Sequence, residues 1–251
     1  MRCIGVLRDG ERALRQQHSH PQGLLRIAVP HDLDRSLLGP LLAAYLELYP
    51  DVRLSCVVTS EQVDLLRGGF DLAIVAGSLP LAQSSLTATK LGEATYRLYV
   101  APGYLERHGM PQSHVDLPRF DLLATGTNDA RHKWSLSSHA GEFDVEFTPR
   151  LTCNDLLLLR EAVVAGLGIA ALPTFLASHA ADSGQLVALL PQWQLAPHSF
   201  FAVFPRHEVI PAHVRALIDF LVDRLRPAFA AAARRPTPQR RAPATPVVGA
   251  D

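Results

Sequence analysis

Asn154-Asp155-Leu156-Leu157-Leu158-Leu159-Arg160-Glu161-Ala162-Val163-Val164-Ala165-Gly166-Leu167-Gly168-Ile169-Ala170-Ala171-Leu172-Pro173 reads as an amphipathic helix, a glycine turn, a short buried strand and a proline stop. Asn154 suits the helix N-cap, where its side chain accepts hydrogen bonds from free backbone N–H groups. Gly166 and Gly168 permit the tight reversal that sends the chain into a sheet. The unit places a helix N-terminus with unpaired donors near a cleft, which suits a small polar or anionic molecule. Nothing in it breaks covalent bonds.

The same alternation runs outward in both directions. Leu24-Leu25-Arg26-Ile27-Ala28-Val29-Pro30 is a strand. Asp32 or Asp34 then caps a helix to about Leu48, with Leu37, Leu38, Leu41, Leu42 and Tyr45 on its apolar stripe. Val52 to Val58 is a second strand, Glu61 to Arg67 a short helix, and Phe70 to Val75 a third strand. Apolar strands separated by helices indicate a parallel sheet covered on both faces. Further strands are expected at Ala94–Val100, Leu122–Thr125, Lys133–Leu136, Phe143–Phe147, Leu186–Leu189 and Ser199–Phe204. Helices are expected from Pro102, near Phe175–Ala180 and from Pro211, the last with Val214, Leu217, Ile218 and Leu221 at helical spacing.

The 251 residues are 48% hydrophobic and 19% charged, an ordinary globular composition with length for a real core. The formal charge is zero overall but uneven: residues 1–22 carry a net +2, residues 227–251 a net +3, and the body between them −5. An acidic body grips phosphates poorly, so the globular part is not expected to bind nucleic acid by itself. Cys3, Cys56 and Cys153 are odd in number and far apart, which supports neither a disulfide framework nor a zinc site. Cys56 and Cys153 lie in apolar runs and read as buried thiols. His18 and His20 read as linker residues, because no further metal ligand is near them in sequence. No signal sequence and no apolar run of membrane-spanning length is present, which together with the cysteine usage indicates the cytoplasm. From Pro227 the composition turns to Ala, Pro, Arg and Thr, which reads as a disordered tail.

Over about residues 23–226 the chain resembles the effector-binding domain of LysR-type transcriptional regulators. The resemblance is carried by Leu24 to Pro30, Pro40-Leu41-Leu42, Tyr49-Pro50-Asp51-Val52, Phe70-Asp71-Leu72-Ala73-Ile74 and Ser84-Ser85-Leu86. It continues through Tyr99-Val100-Ala101-Pro102-Gly103-Tyr104-Leu105, Gly109-Met110-Pro111, Asn154-Asp155, Gly166 to Pro173, Gly184-Gln185-Leu186-Val187 and Pro211-Ala212-His213-Val214-Arg215. Each piece is weak alone; the order and spacing make them specific together. The resemblance implies an α/β fold of two Rossmann-like subdomains joined by crossing strands, type 2 periplasmic-binding-protein-like. Subdomain I would hold 23–97 and 199–226, subdomain II 98–198, with 1–22 as the remnant of a linker helix and 227–251 as the tail. A small-molecule effector would lie in the cleft between the subdomains, and its binding would change the oligomer's arrangement on DNA. The family's N-terminal helix-turn-helix is expected to be missing, since 22 residues cannot form a three-helix DNA-reading module.

Family position also names effector-binding candidates. His31, Asp32, Asp34 and Ser36 follow the first strand, Thr59 and Ser60 the second, Gly77 and Ser78 the third. Thr125, Thr127 and Asn128 follow a strand of the second subdomain, and Asn154 combines a cap with a cleft position. Most of these have a plainer reading: Asp32, Asp34, Thr59 and Ser60 as helix caps, Thr125 to Asn128 as turn residues. Where relatives place Ser or Thr to meet a carboxylate, this chain has aspartates. An aspartate cap takes up those N–H groups and repels an anion, so the effector is not expected to be a simple carboxylate held at that helix. Trp134 stacks on a ligand or packs in the core. Leu46 and Leu217 face either a second copy, as dimer or tetramer, or the core.

No GxSxG, HExxH or P-loop pattern occurs, so no enzyme, no metal and no cofactor is expected. The reading is an effector-sensing domain of a LysR-type regulator, in contact with DNA only through the missing helix-turn-helix. The alternative is a stand-alone small-molecule binding protein of the same fold.

Overall fold

The computed structural model describes residues 20–31, 33, 35–59, 63–77, 85–128, 130–206 and 209–235, and of Arg35 and Ser36 only the backbone. The expectations for 1–19 and 236–251, and for Asp32, Asp34, Ser60, Ser78 and the side chain of Ser36, lie outside the described residues.

In chain order the elements are β1 (Gly23–Val29), α1 (Arg35–Leu48), β2 (Val52–Val58), β3 (Leu72–Ala76), β4 (Leu86–Val100), α2 (Pro102–His108) and a 3-10 turn (His114–Arg119). Then come β5 (Leu122–Thr125), β6 (His132–Ser138), β7 (Gly141–Phe147), β8 (Leu151–Cys153), α3 (Leu156–Val164), β9 (Ile169–Pro173), α4 (Thr174–Asp182), β10 (Val187–Leu189), β11 (Gln194–Pro205) and α5 (Ala212–Arg234). The described residues form two compact units, those up to Ala94 with those of 197–231, and those of 95–196 with 232–235. The chain passes from one to the other within β4 and β11.

In the first unit β1 pairs in parallel with β2, register Val29 to Val58, and with β3, register Ala28 to Ala73. β11 closes against β3 in the antiparallel sense, Phe200 to Ala76. Leu25, Ile27, Leu72 and Phe200 are fully buried. Tyr45 fastens α1 to α5: its ring meets Phe220 edge-on at 5.8 Å and its hydroxyl donates to the His213 carbonyl at 2.8 Å. Burial pushes that hydroxyl's pKa up, and neighbouring Tyr49 adds to the effect.

In the second unit β5 pairs in parallel with β8 and β9, and β9 in the antiparallel sense with β4. Successive strand residues point to opposite faces. Leu98, Val100, Leu122, Ala124 and Ile169 therefore join one apolar layer with Trp134, Val145 and Phe147 of the β6–β7 hairpin. Tyr99, Leu123, Ala170 and Leu172 join the other, under α3 and α4.

Several expectations are corrected. Residues 65–67 form a single turn instead of the end of a helix: the Asp64 carboxylate accepts from the Leu66 and Arg67 N–H groups, the Asp64 carbonyl accepts from the Gly68 N–H at 2.6 Å, and Gly69, at φ +70°, ends the turn. β4 begins eight residues early, and the three-residue β8 was not anticipated. Cys56 is exposed and Cys153 only partly buried. Cys56 lies on β2, the end strand in the sheet order, where neighbouring Val57 and Val58 are exposed as well. Of the two placements expected for Leu217 the core is the one found, since it is fully buried. Core packing, one of the two placements expected for Trp134, is the one found: its ring lies 4.5 Å from the Phe147 ring.

The largest correction concerns 227–234. This stretch continues α5 through Pro227 and is not a disordered tail. Phe229 is 2% exposed and stacks on Phe200 at 5.4 Å. It fills a space that exists because residue 92 is glycine: a Cβ there would sit 2.7 Å from the Phe229 ring. Burial of a phenylalanine offsets the roughly 3 kcal/mol that an internal proline costs a helix. Phe229→Ala is therefore expected to lower stability by about 3–5 kcal/mol in urea denaturation. A change below about 0.5 kcal/mol would mean that these residues are dispensable to the fold.

Candidate functional site

Parallel strands send the loops that follow them out at one edge, the edge where ligands bind in open α/β sheets. In the first unit that edge holds His31 in the turn after β1, Thr59 after β2 and Gly77 after β3, all half-buried. The Thr59 N–H donates to the Val29 carbonyl at 2.9 Å, which joins the loops after β1 and β2. Gly77 has φ +95°, a conformation that favours glycine, and its N–H donates to the Ser199 carbonyl at 2.9 Å. The Ser199 hydroxyl in turn donates to Glu93 at 3.2 Å, and Glu93 pairs with Lys90. The Lys90 hydrogen bond, then the one from Ser199, holds the Glu93 carboxyl below its ordinary range. Sequence reasoning missed these three side chains; Lys90 and Glu93 are close in sequence, but Ser199 joins them only through the fold.

In the second unit the corresponding edge holds Thr125, Thr127, Asn128 and Asn154, all exposed. Thr125 pairs with Cys153, and the Gly126 N–H donates to the Cys153 carbonyl at 2.9 Å, which joins the turn after β5 to the one after β8. Asn128 performs turn chemistry: its Oδ1 accepts from the Ala130 N–H at 3.3 Å.

Asn154 is not the cap of α3. Asp155 is, and its Oδ1 accepts from the Leu157 and Leu158 N–H groups at 2.7 and 3.1 Å. Both residue types make good caps, but the cap is the last non-helical residue, and the helix starts at Leu156. The change alters the site's electrostatics. The donors expected to greet an anion are occupied by a resident carboxylate, and Asn154 is released to the edge.

The opposite edge of the second unit is occupied by structural bonds. The Tyr104 hydroxyl donates to the Asp121 carboxylate at 3.0 Å and accepts from the Asp121 N–H at 2.9 Å. Arg150 donates to the same carboxylate at 3.0 Å and to the Leu167 carbonyl at 3.3 Å. Gly168 runs so close to the chain before β5 that a Cβ would lie 2.3 Å from the Asp121 carbonyl oxygen. Among the described residues no group of three or more His, Cys, Asp or Glu is placed to hold a metal ion.

The model of the LysR substrate binding domain matches residues 18–226. This chain belongs to that family. A LysR chain of this kind is similar to an HTH-type transcriptional regulator of Xanthomonas campestris pv. campestris, 34% identical over 228 residues that cover 89% of this chain and 66% of the relative. The regulatory domain of CrgA, a LysR-type transcriptional regulator from Neisseria meningitidis, superposes with a TM-score of 0.71 at 31% identity, covering 81% of this chain and 98% of that one. Full-length AphB, a virulence activator of Vibrio cholerae, superposes with a TM-score of 0.71 at 25% identity over 88% of this chain and 76% of that one. This LysR chain spans about two thirds to three quarters of the length of the curated relatives it matches. Its α/β fold is the type 2 periplasmic-binding-protein-like fold of LysR regulatory domains.

The reassigned cap is checked by two substitutions. Asp155→Ala is expected to cost about 1 kcal/mol of stability in urea denaturation, and Asn154→Ala less than about 0.5 kcal/mol. The reverse ranking would restore Asn154 as the cap.

Proposed function

We propose that this chain senses a small-molecule effector for a LysR-type transcriptional regulator and is not an enzyme. The observation that carries the reading is the extent of the family match, 18–226, which takes in both compact units and the loop edge of each. His31, Thr59 and Gly77 of the first unit and Thr125, Thr127, Asn128 and Asn154 of the second are the effector-facing candidates. Asp32, Asp34, Ser36, Ser60 and Ser78 remain candidates by sequence position. The described side chains among them, those of His31, Thr59, Thr125, Thr127, Asn128 and Asn154, supply hydrogen-bonding groups, which suits recognition of a small polar molecule.

In this reading the regulator is cytoplasmic and works as a homo-oligomer, dimer or tetramer. DNA is contacted by a helix-turn-helix that is not among the described residues. The body's net charge of −5 supports that division of labour. Leu48 at the end of α1 is 59% exposed, and Val57 and Val58 on β2 add apolar surface suited to self-association. No helix among the described residues is long and apolar enough to cross a membrane.

A thermal-shift screen against a metabolite library tests the function. An effector at about 100 times its dissociation constant adds about 2.7 kcal/mol, which raises Tm by about 5–10 °C. The stabilising compound is expected to be recovered chemically unchanged after overnight incubation. Conversion to a product would contradict the binding role. Sedimentation at micromolar concentration is expected to show a dimer or larger species; a strict monomer would remove the self-association part of the proposal.

A further inference from the structure

We propose that His132 is the side chain of the second unit that selects the effector, and that it recognises an uncharged hydrogen-bonding group, an amide, hydroxyl or ketone, rather than a carboxylate. The inference rests on the effector-binding reading and deepens it.

His132 opens β6, pairs across the hairpin with Phe147 and shares a face with Trp134 and Leu136, which are buried. An apolar residue would suit that face. The imidazole instead buries its Nε2 with no hydrogen-bond partner among the described residues. A neutral imidazole carries one donor and one acceptor, and leaving either unpaired away from water is destabilising. The ring is seated over Gly126: a Cβ at residue 126 would lie 2.9 Å from His132 Cε1, 3.5 Å from Nε2 and 3.2 Å from the Thr152 methyl. Gly126 is the residue after β5, so the unpaired nitrogen lies beside the turn at the loop edge that holds Thr125, Thr127, Asn128 and Asn154. A buried polar atom left unpaired in a native protein calls for an explanation, and a bound hydrogen-bonding group supplies one here.

The charges around this nitrogen argue against an anion. Arg131 and Lys133, the cations on either side of His132 in sequence, are paired with Glu146 at 3.7 Å and Asp144 at 2.9 Å. The first-turn donors of α3 are held by the Asp155 carboxylate, itself a negative charge at this edge. A carboxylate placed here would meet committed cations and a resident anion. A neutral group that donates to or accepts from Nε2 meets neither obstacle.

The test compares the wild-type chain with His132→Phe, His132→Leu and His132→Gln. Probes are three matched pairs: benzamide with benzoate, nicotinamide with nicotinate, and benzyl alcohol with phenylacetate. Without probe, His132→Phe or His132→Leu is expected to raise Tm by about 2–4 °C, because an unpaired polar atom is removed. With probe, at least one uncharged member is expected to stabilise the wild type more than its acid and to move the His132 ring nitrogen resonances in long-range proton–nitrogen spectra. Its affinity is expected to fall at least tenfold in the apolar variants and to be largely kept in His132→Gln. The proposal is overturned by tighter binding of the acids, by unmoved His132 resonances with all six probes, or by a lower Tm in both apolar variants with probe affinity unchanged. A library compound that stabilises wild type and both apolar variants equally would sink the role of His132 while leaving effector binding intact. A chain stabilised by no probe and no library compound would sink both.

Discussion

Parallel pairing of short apolar strands is the constraint on which the rest depends. β1 lies between β2 and β3, and β5 between β8 and β9, each with its neighbours running the same way. Parallel strands cannot be joined by a tight turn, so the chain must return along a crossover, and every loop after a strand emerges at the same edge. Backbone bonds then tie those loops together: Thr59 to Val29 in the first unit, Gly126 to Cys153 in the second. The opposite edge of the second unit is closed by Asp121, which gathers Tyr104 and Arg150 while Gly168 approaches its carbonyl. One edge is thus rigid and chemically satisfied, and the other is left with side chains to offer.

Much of this architecture could be read from sequence because the signals are local. An apolar run, a cap, a helical stripe and a glycine turn recur; the expected strands at Val52–Val58 and Leu122–Thr125 coincide with β2 and β5, and the short strand expected after the glycine turn is β9, which takes in Pro173. What escaped was non-local. A three-residue strand such as β8 is too short to show a period. The exposure of Cys56 follows from β2 standing at the end of the sheet order, which composition does not announce. Pro227 and the alanines after it resemble a helix stop, and only the packing of Phe229 against Phe200 and Gly92 explains why the helix continues.

The candidate site divides along the same line. Positions just past a strand were identifiable from the family pattern: His31, Thr59, Gly77 and the turn from Thr125 to Asn128 all fall at loop edges. Roles set by geometry were not. Asn154 and Asp155 are equally good caps on paper, and the start of α3 at Leu156 assigns the duty to Asp155. Ser199 meets Glu93, and through it Lys90, across strands far apart in the chain. His132 sits at the start of a strand without any motif around it, and it gains meaning only when hairpin register sets it over a residue that lacks a Cβ.

The central claim is that the edge following the parallel strands meets the ligand and the edge preceding them does not. Amide chemical-shift mapping of the isotopically labelled chain during titration with a fragment library measures this directly. The account predicts that binding fragments perturb the amides of His31, Thr59 and Gly77 in the first unit, or of Thr125 to Asn128 and Asn154 in the second, while those of Tyr104, Asp121 and Arg150 stay in place. Shifts concentrated on Tyr104, Asp121 and Arg150, with the loop-edge amides unmoved, would contradict it.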